Sequence, residues 1–148
     1  MPIERIYFAL FNLFVLIMGA VFVFLLRLGI MRVEQLPEYT QDEKAIIRKQ
    51  MKALYLLPVF MFVLIDFPGW LNSIAAAIQL FLALAIGFGM IAYVAISSIK
   101  NRISMFREHG KPPTRGRTAV WGGIINLGLV LVAWSGGLYF IVQLLTRH

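Results

Sequence analysis

The chain is 148 residues long, 60% hydrophobic and only 14% charged, with a mean hydropathy of +0.81. A soluble domain carries about 25% charged residues, so this composition excludes an ordinary soluble domain and predicts a single integral membrane domain over residues 1–148. With no cysteine there is no disulfide frame, thiolate nucleophile or iron–sulfur ligand set. The net charge of +7 lies in two loops beside apolar runs, where anionic lipid headgroups, not nucleic acid, are the matching partner.

The first apolar run, 6–26, is long enough to span a bilayer. It is too long for the apolar region of a secretory signal and no small-residue cleavage site follows, so the chain reads as mature from Met1. Tyr7, Phe8, Phe11, Phe14, Phe22 and Phe24 go nearly all round this helix, which suits a rod facing lipid on one side and partners on another.

Loop 27–52 holds Arg27, Arg32, Lys44, Arg48, Lys49 and Lys52. Within it Thr40-Gln41-Asp42-Glu43 fits a capping box, in which the Thr hydroxyl and the Glu carboxylate each take a free amide. The spacing predicts an amphipathic helix over 41–52 that lies at headgroup level and runs into the second span, 51–67. Pro58 inside that span predicts a kink. Phe67-Pro68-Gly69-Trp70 then has the residues of a type II turn, Trp70 suits the membrane–water interface, and Asn72 or Ser73 can cap the next helix. Asp66 is read as the acid of this outer turn in preference to an ion or proton site.

The third span is 74–99, where Ala85, Gly89 and Tyr93 share a face. Loop 100–118 carries Lys100, Arg102, Arg107, Lys111, Arg115 and Arg117, and its stretch from His109 to Arg117 is rich in helix breakers and reads as irregular. In the fourth span, 119–145, Gly122, Asn126, Ala133 and Gly137 fall on one face and permit close helix approach, within a subunit or between copies. The polar span residues Asn12, Gln79, Asn126, Ser135 and Gln143 read as bonds between helices.

Twelve of the fourteen cations lie in the two long loops; the other two are Arg5 and Arg147. The positive-inside rule therefore predicts loops 27–52 and 100–118 in the cytoplasm and both termini outside. No span carries a histidine, there is no phosphate-binding glycine loop, and paired carboxylates and a Ser–His pair are missing. Haem or metal ligation and proton-coupled transport find no residues to work with.

The run from Arg48 to Phe60 resembles the signature of the MAPEG family, membrane-associated proteins in eicosanoid and glutathione metabolism. Members typically show Arg-x-x-x-Asn-x-x-Glu-x-x-Pro-x-Phe; here Arg48, Pro58 and Phe60 match, while Lys52 and Tyr55 stand at the Asn and Glu positions. The family is also similar in length, in its four helices and in its basic first loop. The resemblance implies a homotrimer that binds glutathione between subunits. Arg48 and Gln50 would be ligand contacts and Arg117 the thiol-activating arginine, since a guanidinium fork holds carboxylates and a cation stabilises a thiolate. A tyrosine at position 55 cannot supply the charge that grips the glutathione amino group, and the third span lacks the family's arginine.

The expectation is thus an all-α, four-helix integral membrane bundle, in a bacterial inner membrane given the lack of any organellar signal. It acts as a homo-oligomer or within a larger membrane complex. Its cytoplasmic rim of Arg27, Arg32, Arg48, Lys49, Lys52, Arg115 and Arg117, with Gln50 and Tyr55, binds an anionic lipid or ligand. The alternatives are a MAPEG-like glutathione transferase and a small transporter subunit.

Overall fold

A computed structural model describes residues 3–66, 71–106 and 111–146. Among these residues the chain is helical, with no β-strand. Helix α1 spans Ile3–Gln35, α2 Gln41–Ala53, α3 Leu57–Asp66, α4 Ser73–Ala83, α5 Gly89–Asn101 and α6 Arg117–Thr146. Three stretches are long and apolar enough to cross a membrane: Arg5–Gln35, Ser73–Asn101 and Arg117–Thr146.

The first rod does not stop at the expected boundary, residue 26. At 33 residues it is roughly 50 Å long against a hydrocarbon core of about 30 Å. It ends at Gln35 because Leu36 precedes Pro37, and a pre-proline residue disfavours the α conformation.

The second rod is broken where the sequence predicts a kink. Pro58 has no N–H to bond the Leu54 carbonyl, and the backbone tightens into a 3₁₀ turn over Leu54–Leu56, with the Leu57 N–H donating to that carbonyl. The expected span 51–67 is therefore helical in pieces and is not one of the long apolar rods. The hairpin 67–70, with the expected turn and the Trp70 anchor, lies outside the described residues, as do His109 and His148.

Both predicted caps form. The Thr40 amide donates to Glu43 Oε2 at 2.9 Å and the Glu43 amide to Thr40 Oγ1 at 3.3 Å, completing the capping box of α2. Of the two residues proposed to open α4, Asn72 does so, accepting from the Ala75 amide at 2.7 Å.

Between α4 and α5 the chain makes one π turn, Leu84–Phe88. Such a turn adds about one residue and rotates everything beyond it. Of the expected face Ala85–Gly89–Tyr93, Gly89 and Tyr93 look outward and Ala85 is half-buried, while Leu84, Gly87, Met90 and Val94 are buried. Gly87 is required there: a Cβ would lie 2.6 Å from the Phe60 ring.

The rods pack consecutively. Helix α1 lies on α2 and α3, these lie on α4, the π turn and α5, and α6 lies on α4 and α5, with the α5–α6 contact the most extensive. Along α6 the inward positions are Ala119, Gly123 and Val130, with Gly137 against Leu84. Gly122, the expected contact, faces open space. Adjacent glycines leave the choice to the neighbouring helix, and α5 meets Gly123.

Of the five polar span residues named above, Gln79 is the one with a described bond to another rod, its Nε2 donating to Val63 O at 3.0 Å and Leu64 O at 2.9 Å. Ser135 donates to Leu131 O and Gln143 to Tyr139 Oη, both within α6. Asn12 Oδ1 and Asp66 Oδ1 are buried without a hydrogen-bond partner.

Candidate functional site

The two basic loops, about fifty residues apart in sequence, dock on each other at one end of the molecule. Ile47 of α2, Tyr39 and Ile103 form a small apolar core there, with Val33, Leu36, Ile46, Met51 and Met105 around it. The apolar edge of α2, expected to rest on headgroups, therefore rests on protein.

Gln50 is the centre of this junction. Its side chain is fully buried. Nε2 donates to Ser97 Oγ and to Ile103 O, both at 3.0 Å, and Oε1 accepts from the Met105 amide at 2.7 Å. Both amide hydrogens are thus engaged by the protein, and none is left to offer a ligand.

The second fastening is Arg115. Its guanidinium grips the Glu43 carboxylate in a fork, Nε to Oε1 and Nη2 to Oε2 at 2.7 Å each, also donates to Glu38 O, and lies 5.5 Å over the Tyr39 ring. The loop that presents it is more ordered than its breaker-rich sequence predicts. Ser104 donates to Thr114 O at 3.1 Å and Gly116 to Arg102 O at 2.8 Å, bracketing an antiparallel bridge between Ile103 and Arg115. Arg102 and Gly116 make the corners with positive φ, 54° and 63°.

The Arg115 hydrogen bond is the main influence holding the Glu43 carboxyl below its ordinary value of 4.5; the Thr40 amide and the Arg115 charge also lower it, against desolvation, which raises it. A carboxyl depressed in the folded state contributes stability that is complete above its unfolded value and is lost as pH falls through the folded one. We therefore expect thermal stability in detergent to fall below pH 4.5 more steeply in the wild type than in Glu43→Gln. Parallel curves for the two proteins would mean that the fork does not hold the loops together.

The other expected site residues separate. Arg48 reaches α1, pairing with Glu34 at 2.9 Å, and Lys44 donates to Glu34 O beside it. Arg27 and Arg32 are exposed on α1, and Arg117 is exposed at the first residue of α6. Tyr55 sits half-buried in the 3₁₀ turn. Lys52 faces α5, where a groove of about 470 Å³ runs past Lys52, Leu56, Gly89, Met90 and Tyr93. A second hollow of about 310 Å³ continues it past Lys49, Tyr93, Ser97 and Lys100. Lys100 is a groove residue that sequence reasoning missed. It lies at position i+3 from Ser97, the Gln50 partner, and only docking of α2 on α5 brings it beside Lys49.

A further cavity of about 420 Å³ lies between α5 and α6 beneath the docked loop. Three of its four hydroxyl residues are already engaged: Ser98 donates to Val94 O, Thr114 donates to Phe106 O, and Ser104 accepts from the Phe106 amide. Among the described residues no cluster of His, Cys, Asp and Glu is arranged to hold a metal ion.

Comparison with protein families, with curated proteins and with solved structures finds no match to this chain.

Proposed function

We propose that the chain is an integral membrane protein with both termini outside, whose basic cytoplasmic end binds an anionic amphiphile, and that it works as a subunit of a homo-oligomer or of a larger membrane complex. The observation that carries this reading is the docking of the two basic loops by Gln50 and Arg115. It brings the cation-bearing loops 27–52 and 100–118 to the same end of the chain, beyond the three long apolar rods and the broken second one. Lysines and arginines so placed attract anionic headgroups at about 1 kcal/mol each. Assembly is supported by the open edges of the row: α1 and α6 each have one flank without a neighbouring rod, and both expose large apolar side chains along their length.

The absence of cysteine makes orientation directly measurable. In intact cells, a single Leu71→Cys is expected to react with a membrane-impermeant maleimide and a single Gln41→Cys only after lysis. The reverse pattern would invert the proposed topology and remove the cytoplasmic leaflet as the source of the ligand.

Glutathione-dependent transfer is a second reading, resting on the exposed Arg117 at the first residue of α6. Native mass spectrometry with added glutathione tests it. Trimers carrying glutathione adducts would establish that reading, and bare protein at millimolar glutathione would remove it.

A further inference from the structure

The groove between α2 and α5 has a composition that changes along its length. Its upper part, at the end where the loops dock, is framed by Lys49, Lys100, Ser97 and Asn101, with Ile46 and Ile96 beside them. Its lower part is mainly apolar, formed by Ala53, Leu56, Met90 and the open backbone at Gly89, with Lys49 and Lys52 at one wall. Tyr93, 47% exposed, lines both parts and joins them.

The charges are of one sign. Among the described residues no carboxylate lines either part, and neither ion pair at this end, Arg48–Glu34 or Arg115–Glu43, involves the three lysines. Helix α2 distributes its cations by face: Arg48 to α1, Lys49 and Lys52 to the groove. The apolar floor is empty, because a Cβ built at Gly89 meets nothing within 4 Å.

We propose that this groove is a binding site for one anionic phospholipid of the cytoplasmic leaflet, with Lys49, Lys52 and Lys100 on the phosphate and an acyl chain lying over Gly89 against Leu56 and Tyr93. The inference rests on the topology and basic-end reading above and deepens it. The chemistry selects the class of ligand. Three ammonium groups without counter-ions need an anion, and the apolar floor directly beneath them needs a hydrocarbon chain on the same molecule. Lys52 lies deepest and reaches the phosphate along its own aliphatic stem.

The test uses native mass spectrometry of the full chain with phosphatidylglycerol or phosphatidylcholine, and helicity and melting are recorded for every variant. The wild type is expected to retain phosphatidylglycerol in preference to phosphatidylcholine. Lys49→Gln/Lys52→Gln/Lys100→Gln should weaken that retention roughly tenfold or more, and by a clearly larger factor than Arg27→Gln/Arg32→Gln/Arg117→Gln, which removes the same charge from outside the groove. Gly89→Leu changes no charge and its Cβ meets no neighbour, yet should also weaken retention by filling the floor. Loss in the arginine variant with retention in the lysine variant would overturn the groove and leave the basic-end reading standing. No preference for phosphatidylglycerol in the wild type would overturn both. Unchanged retention in Gly89→Leu, with displacement of the lipid by soluble glycerol 3-phosphate, would make the lysines a site for a soluble anion and overturn the lipid proposal.

Discussion

Gln50→Leu is expected to cost about 3 kcal/mol or more and to release the loop around Ile103–Met105 from α2. Leucine keeps nearly the volume of glutamine, so little of the loss comes from a cavity. It comes from the buried Ile103 carbonyl and the partly buried Met105 amide, which lose their partner; an orphaned buried group costs about 1–3 kcal/mol. Gln50→Glu should be worse at neutral pH, because a carboxylate would face the Ile103 carbonyl that the amide hydrogens now meet, and acidification should relieve it. Thermal unfolding in detergent measures the loss, and hydrogen exchange at the Met105 amide reports the loop. A wild-type melting temperature together with unchanged protection at Met105 would show that Gln50 does not fasten the two loops.

Gly123→Ala is the second large effect, and its neighbour supplies the control. An added Cβ at Gly123 would lie 2.7 Å from the Ala95 carbonyl oxygen and 2.7 Å from Ile99 Cγ1. A backbone oxygen cannot swing aside, so α6 must move off α5 along the most extensive contact in the molecule. Overpacking of this kind costs about 1–3 kcal/mol. Gly122→Ala places its methyl in open space and gains the helix preference of alanine over glycine, up to about 1 kcal/mol. The two substitutions, one residue apart, should therefore shift the melting temperature in opposite directions. Equal shifts would mean that α6 presents a different face to α5.

These two residues also separate what could be read in the sequence from what could not. Helix starts are local matters, and they were legible. The capping box at Thr40 and Glu43 and the cap at Asn72 depend on side chains reaching amides two or three residues away, and both form. The break at Pro58 was legible for the same reason, since a missing N–H acts within one turn. Close helix approach was legible only as a class. The small residues of α6 were visible, but Gly123, not Gly122, meets α5. In the third rod a π turn without a sequence signal of its own leaves Gly89 and Tyr93, just beyond it, facing outward.

The role of Gln50 was out of reach for a different reason. A glutamine among lysines beside an apolar span looks like a surface contact. Its partners, Ser97, Ile103 and Met105, are 47 to 55 residues away. Likewise Arg115 and Glu43 are 72 residues apart, and nothing near either one names the other. The basic rim was legible as a total of charge and illegible as an arrangement. Two of its arginines are engaged in ion pairs, and three lysines line a groove whose third member, Lys100, counted in the sequence as a loop charge and not as part of the rim.

The sequence by itself determined the helical class, the apolar rods, the caps, the proline break and the concentration of cations in two loops, because each follows from composition or from contacts within a turn. Only the tertiary structure decided that the loops dock, which glycine meets which helix, and which cations remain free. Those outcomes depend on the rotation of one rod against another, and no local residue pattern carries that angle.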